Sequence, residues 1–94
     1  MNDYHITKYT KEQAKTLGVI VTPSKRKYKK LDVYTTDGVY ICSCGDNRYA
    51  DFPTYILTKG KAYADERRRL YRIRHQNDVL KVGTPAYYAM YLLW

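Results

Sequence analysis

The sequence has few of the residues that build a large apolar core or a covalent framework. Among 94 residues, Phe and Trp occur once each, Cys twice and Pro three times. Cys42 and Cys44 are only two positions apart, so they cannot link distant segments, and we expect reduced thiols in a reducing compartment. No run approaches the roughly 18 apolar residues of a membrane span, and residues 1–9 lack the apolar segment of a signal peptide. We therefore expect no contact with a membrane and no export by that route.

Acidic residues are also scarce, with nine Asp and Glu against 17 Lys and Arg and a net charge of +8. Residues 1–30 carry eight basic residues against two acids, a net of +6. Residues 31–58 carry one against four, a net of −3, and residues 59–94 carry eight against three, a net of +5. Two basic ends flanking an acidic middle favour contact with a polyanion or an acidic protein surface.

Tyrosine, by contrast, is abundant, with twelve residues. Its side chain joins an apolar ring to a polar tip, which suits interfaces that are half buried and half wet. The length fits one compact domain. Within it we distinguish an N-terminal helix, strand and basic arm in residues 1–30 from an α+β core in residues 31–94.

The N-terminal part begins with a predicted helix over residues 10–17. Thr10 and Gln13 form a capping box at its start, and Gly18 ends it. A short strand follows over residues 19–21. The next run, residues 24–30, is basic at five of its seven positions and predicts a solvated arm or loop.

The clearest local pattern is a β-hairpin over residues 31–43. Two β-rich runs flank Thr36-Asp37-Gly38, with Gly38 in the left-handed position. This loop pairs Val33 with Ile41 and Tyr34 with Tyr40. The expected inner face carries Leu31, Val33, Val39 and Ile41, and the outer face carries Asp32, Tyr34, Tyr40 and Cys42.

Two helices are predicted in the C-terminal part. The first covers residues 61–76, with an apolar stripe of Ala62, Tyr63, Leu70 and Ile73 opposite Arg68, Arg72 and His75. The second covers residues 86–94, opened by Thr84 as N-cap and Pro85, and is apolar all round, so it is buried in this chain or in a neighbour. Between hairpin and helices, Asp46 and Asp51 are typical of a structured turn in which acids cap backbone amides or pair with the arginines of the following helix.

These elements together predict an α+β fold, in which a small antiparallel sheet is packed by two C-terminal helices.

Two basic clusters with interleaved aromatics are the strongest functional signal, since phosphate-backbone binders often have this pattern. Alternatively, the Arg stems cover apolar surface and their charges pair with acids. The candidate cations are Lys25, Arg26, Lys27, Lys29, Lys30, Arg67, Arg68, Arg72, Arg74 and His75, and the candidate aromatic anchors are Tyr28, Tyr71, Tyr87, Tyr88, Tyr91 and Trp94.

Metal binding and catalysis have little support. The Cys-x-Cys spacing does not form a proper zinc chelate with His5 and His75, so we expect no metal and no other cofactor. For acid–base work the candidates are His75, Asp46, Asp51, Asp65 and Asp78. They lack any phosphate loop, nucleophile motif or paired-carboxylate motif, so we expect no enzyme and no small-molecule substrate.

From Gly45 onward the sequence resembles an uncharacterised family of small basic proteins of giant DNA viruses and tailed (crAss-like) phages. The resemblance covers about half the chain, and relatives often carry Phe-Trp in place of Tyr87-Tyr88. The matching positions are Gly45, Tyr49, Asp51-Phe52, Arg67-Arg68, Tyr71, Arg74-His75, Thr84, Tyr87-Tyr88 and Leu92-Leu93-Trp94.

This resemblance implies a viral source but no activity. Together with the charge pattern it favours a non-enzymatic auxiliary capsid protein that docks on an acidic patch of the major capsid protein or another virion protein. Its location would be the virion, and the host cytoplasm during assembly. The alternative is a small DNA- or RNA-binding protein, and a distant third is a small nuclease.

Overall fold

The chain folds as an α+β domain, as predicted. The structure is a computed structural model, and it describes residues 4–94 except for the side chain of Val79. A three-stranded antiparallel sheet is packed by an N-terminal helix and by C-terminal helices. In chain order the elements are α1 (Lys8–Leu17), β1 (Val19–Pro23), β2 (Lys29–Thr35), β3 (Tyr40–Asp46), α2 (Phe52–Lys59), α3 (Lys61–Arg74), a 3₁₀ helix (Gln76–Leu80) and α4 (Pro85–Leu93).

The sheet is a meander in the order β1-β2-β3, so the predicted hairpin gains β1 as a third strand. The predicted pairing of Tyr34 with Tyr40 and the left-handed Gly38 (φ 87°) are confirmed. The predicted pairing of Val33 with Ile41 is wrong, because Val33 lies opposite Cys42. A β-bulge between the two pairs places one extra residue on β3 and shifts the register.

The bulge decides which side chains reach the core. Cys42, predicted on the outer face, is buried beside Val33, whereas Val39, predicted on the inner face, is 62% exposed. Leu31 and Cys44 are paired across β2 and β3 and are also fully buried. This inner face packs against α4, whose Leu92 and Leu93 are in the same core cluster.

α4 lies close to the sheet backbone at Gly45. The residue has φ 77°, a left-handed conformation that favours glycine, and a Cβ there would lie 2.6 Å from Leu93 Cδ1. Gly45 therefore permits both the backbone turn and the contact between β3 and α4.

α1 starts two residues before the predicted helix. Thr7 is its N-cap and accepts a hydrogen bond from the Thr10 amide, so the predicted capping box at Thr10 is wrong. Thr10 is instead fully buried, and its hydroxyl donates to the Leu92 carbonyl at 2.8 Å. The predicted stop at Gly18 (φ 72°) is confirmed.

α2 is a helix that the sequence patterns did not predict. Asp51 is its N-cap and accepts a hydrogen bond from the Thr54 amide at 3.0 Å, and Pro53 lies in its first turn. Pro53 excludes a long strand here, as expected, but it also favours the start of a helix. The predicted capping role of Asp51 is confirmed.

α3 forms over most of the predicted range, but the buried face differs from the prediction. Tyr63 and Ile73 of the predicted apolar stripe are 45% and 54% exposed. The fully buried residue of the helix is Ala64, and the half-buried residues that follow it at helical spacing include Arg67, Arg68 and Tyr71. The helix therefore packs through a face that carries arginines.

α4 begins as predicted, with Thr84 as N-cap accepting from the Tyr87 amide and with Pro85 in the first turn. It is buried within its own chain, between the sheet and α1. Among the described residues, no helix has both the length and the apolar character to cross a membrane.

Candidate functional site

The basic run is a loop between strands. Residues 24–28, which we call the basic turn, join β1 to β2. Ser24 is buried and its amide donates to the Lys30 carbonyl at 3.0 Å, while the Lys29 amide donates to the Arg26 carbonyl at 3.2 Å. β2 begins at Lys29, so the boundary drawn at residue 30 falls inside a strand.

A buried carboxylate, Asp32, organises the basic turn. It accepts hydrogen bonds from the hydroxyls of Ser24 and Ser43, each at 2.6 Å, and from the Lys25 amide at 3.3 Å. Burial acts to raise the pKa of Asp32, but these hydrogen bonds outweigh it and the pKa lies below its usual range. The turn is therefore fixed to the outer face of the sheet.

Tyr28 connects the basic turn to the loop of residues 46–50. Its carbonyl accepts from the Asn47 amide at 2.9 Å, and its ring lies 4.6 Å from the Arg48 guanidinium and 4.9 Å from the Lys27 ammonium. Tyr28 has φ 65° and is 46% exposed. Cations and an exposed aromatic thus share one patch of surface.

Lys30, a predicted surface cation, is in the interior. It is 3% exposed and pairs at 2.7 Å with Asp51, which is fully buried. The Tyr4 hydroxyl also donates to Asp51 at 2.7 Å. Burial acts to raise the pKa of Asp51, but the Lys30 charge and the hydrogen bonds outweigh it and lower the pKa. Lys30 therefore stabilises the fold and is not part of the surface cluster of cations.

Three arginines of α3 are also held by the protein itself. Arg68 Nε and Arg72 Nη2 donate to the Trp94 carbonyl at 2.6 and 3.1 Å. Arg69 pairs with Glu66 at 2.6 Å on the exposed side. Arg68 and Arg72 thus bind α3 to the end of α4, a role that the charge pattern alone did not indicate.

The other two, Arg67 and Arg74, line a cavity of about 400 Å³, which we call the arginine pocket. Within residues 4–94, neither lies within salt-bridge distance of a carboxylate, and the buried Arg67 Nε has no hydrogen-bond partner. The pocket lies between β3, the loop 46–50 and helices α2, α3 and α4, and is lined by Lys30, Gly45, Asp46, Tyr49, Ala50, Tyr55, Arg67, Tyr71, Arg74, Ala89, Leu93 and Trp94.

Asp46, the acidic residue in the pocket wall, does not neutralise Arg67 or Arg74. Both carboxylate oxygens of Asp46 accept from Arg48, at 3.0 and 2.7 Å. Hydrogen bonds from Arg48 lower the pKa of Asp46 to about 2. Because Lys30 is neutralised by Asp51, the charges left for a ligand are those of Arg67 and Arg74.

The aromatic wall of the pocket includes two predicted anchors, Tyr71 and Trp94, whose rings stack at 4.3 Å and 7°. The other face of Tyr71 stacks on His75 at 4.2 Å. His75 Nδ1 lies 2.9 Å from Asp78, so this predicted surface cation has an acidic partner.

Comparisons with protein-family models, with curated proteins and with solved structures found no match. No family is shown. The resemblance to viral proteins therefore stays a prediction.

The remaining predicted anchors lie outside the pocket. Tyr87 and Tyr91 are half-buried neighbours with ring centroids 4.9 Å apart, and Tyr88 is buried in the core, where it cannot act as a surface anchor. The sequence patterns missed Arg48 and Tyr49, which lie in the loop 46–50. A basic residue beside a tyrosine in an otherwise acidic segment was the available signal.

The thiols face the core and not the pocket. Burial raises the pKa of Cys42, and it raises that of Cys44 to about 12, so both resist ionisation. Within residues 4–94, no cluster of three or more His, Cys, Asp or Glu side chains is arranged to hold a metal ion. Of the candidate catalytic acids, Asp65 pairs with Lys61 at 2.8 Å on the surface.

Proposed function

We propose that the protein is a non-enzymatic nucleic-acid-binding protein that contacts phosphates through the basic turn and the arginine pocket. One observation carries this proposal: cations without a carboxylate partner lie both in the basic turn, which contacts the loop 46–50 through Tyr28, and in the arginine pocket, which that loop lines. In the part of the chain that the structure describes, this holds for Lys25, Arg26, Lys27, Arg67 and Arg74.

The physical basis is counterion release. Each phosphate that a lysine or arginine neutralises frees condensed cations from the nucleic acid, which favours binding at low salt. Internal ion pairs would remove this driving force, and within residues 4–94 these five side chains form none. The basic turn is also fixed by Asp32, so little conformational entropy is lost when it binds.

The test is a titration of a fluorescent single-stranded oligonucleotide at about 50 and about 200 mM salt. We expect micromolar or tighter binding at the lower salt and a steep loss at the higher. The double variant Lys25→Gln/Lys27→Gln is expected to reduce the salt slope by about two, or about one per lost phosphate contact.

The matched control is Lys11→Gln/Lys15→Gln, which removes the same charge from exposed positions of α1. If the two double variants weaken binding equally, net charge and not the basic turn is responsible. Absence of binding at low salt would contradict the proposal as a whole.

Docking on an acidic protein surface, as an auxiliary capsid protein would, is the second candidate. The observation that favours it is on α3, where Ile73 is exposed and lies beside Arg69 and Arg72, and where Tyr63 is exposed on another side of the helix. Tyrosine and arginine are enriched at protein interfaces. A protein that fails to bind the oligonucleotide but binds purified capsid protein of its source would support this function.

A further inference from the structure

The arginine pocket has a charge pattern that an anion would complete. Arg67 and Arg74 lie two turns apart on the same face of α3, with Tyr71 between them. Within residues 4–94 the buried Arg67 Nε has no acceptor, and a buried donor without a partner is unfavourable. A guanidinium with an unmet hydrogen bond is a suitable donor to a phosphate oxygen.

Seven residues of helix separate the two arginines by about 10 Å along the axis. We therefore expect each arginine to contact its own phosphate, so that the two phosphates flank a single nucleotide. The sugar and base between these phosphates then lie over the aromatic wall of the pocket.

Among the described aromatic residues that line the pocket, Tyr49 is the most exposed, and the Arg48 guanidinium lies 6.0 Å from its ring centroid. Trp94 and His75 cover the two faces of Tyr71, so a base cannot insert there without separating them. Tyr49 lines the pocket and is 70% exposed. Its hydroxyl is not needed for stacking, so phenylalanine should replace it.

The size of the pocket is compatible with one unstacked nucleotide. Its volume of about 400 Å³ is within the range of small-molecule sites, roughly 300–1,000 Å³. A base paired in a duplex is stacked on both sides, whereas single strands present bases that can be splayed onto aromatic side chains.

We propose that the arginine pocket takes one unstacked nucleotide of a single strand, with flanking phosphates on Arg67 and Arg74 and the base on Tyr49. This inference rests on the proposed nucleic-acid-binding function. It adds a preference for single strands over duplexes, which the basic turn alone does not predict.

The experiment compares an oligothymidylate of about ten nucleotides with a duplex of the same length, using fluorescence anisotropy at one salt concentration. Trp94 is the single tryptophan and lines the pocket, so its intrinsic fluorescence gives a second readout of occupancy. We expect the single strand to bind at least about tenfold more tightly than the duplex and to change Trp94 emission.

Four variants locate the contact. Arg74→Gln and Tyr49→Ala are each expected to lower single-strand affinity by about tenfold and duplex affinity much less. Tyr49→Phe should retain the wild-type preference. Arg69→Gln, on the same helix but paired with Glu66 outside the pocket, should leave the ratio of the two affinities unchanged.

Arg67→Gln alters a half-buried residue, so its urea midpoint is measured first. Arg74→Gln, at an exposed position, keeps the test valid if Arg67→Gln unfolds. Thymidine monophosphate and polyglutamate serve as competitors. Competition by the mononucleotide at equal concentration would mean a free nucleotide is the ligand, and equal competition by polyglutamate would mean an acidic protein is. Either result overturns the inference.

Two further outcomes separate this inference from the proposed function. Equal, salt-dependent binding of single strand and duplex, unaffected by Arg74→Gln, overturns the pocket assignment and leaves nucleic-acid binding intact. If neither nucleic acid binds, both proposals fail.

Discussion

The Lys30–Asp51 ion pair shows at the residue scale what burial does to a charge. Both side chains are almost completely removed from water, yet each has a partner at 2.7 Å. Losing one partner of such a pair leaves an uncompensated buried charge, which is far more costly than losing an exposed pair. The charge count of the sequence assigned Lys30 to a basic cluster, because it contains no information on depth.

We predict that Lys30→Met lowers the free energy of unfolding by about 3–5 kcal/mol, because Asp51 is left buried without its cation. Urea denaturation followed by circular dichroism measures the change. The control is Lys61→Met, which removes the exposed pair with Asp65 and should cost less than about 1 kcal/mol. Similar losses in the two variants would show that burial does not set the strength of the first pair.

At the scale of elements, the basic turn combines high positive charge with a fixed backbone. Dense lysine and arginine alone predict a mobile segment, since like charges repel. Here Asp32 accepts from the Lys25 amide and the Ser24 hydroxyl of the turn, and from the Ser43 hydroxyl of β3. Its position in the sequence, within the hairpin, gave no sign that it would reach across to Ser24.

We predict that Asp32→Ala releases the basic turn and speeds tryptic cleavage after Lys25, Arg26 or Lys27 by about tenfold or more, because local opening becomes easier. Limited proteolysis read by mass spectrometry checks this. Asp37→Ala, in the exposed hairpin loop, is the matched loss of a carboxylate and should leave the cleavage rate unchanged. An unaltered rate in Asp32→Ala would mean that the strands alone hold the turn.

The orientation of α3 was not predicted correctly from the sequence. A hydropathy wheel treats arginine as polar and turns Tyr63 and Ile73 inward. In the structure the Arg68 guanidinium lies 4.4 Å from the Phe52 ring and donates to the Trp94 carbonyl. An arginine stem with such partners packs well, so tertiary contacts outweigh the apolar stripe.

For the whole molecule, local sequence patterns predicted most helices and strands, whereas tertiary contacts determine which residues form the candidate site. Turn and cap residues such as Gly18, Gly38 and Thr84 marked boundaries that the structure confirms. The bulge beside Val33 interrupts the alternation expected of a regular strand, and the arginine pocket is assembled from segments far apart in sequence, from Lys30 to Trp94. The hydrophobic periodicity of a single segment carries no information on such features.

The stability of the whole molecule should fall in acid. Asp32 and Asp51 both have a folded pKa below the usual value near 3.8. A carboxyl with a lowered folded pKa contributes stability that is present above its unfolded pKa and is lost as pH falls through the folded pKa. Protonation also adds to a positive charge that already exceeds the negative.

We therefore predict that the free energy of unfolding decreases as pH is lowered from about 4 toward 2. Urea midpoints measured across this range test it, and Asp51→Asn should show a shallower decline because one of the linked groups is missing. A wild-type midpoint that stays constant between these pH values would contradict the prediction.

The placement of Cys42 and Cys44 has a practical consequence for studying the protein. Both sulfurs lie in the core and resist ionisation, so they are poor targets for maleimide dyes while the fold is intact. A cysteine introduced at an exposed site, such as the tip of the hairpin loop, can therefore be labelled selectively without removing the native pair.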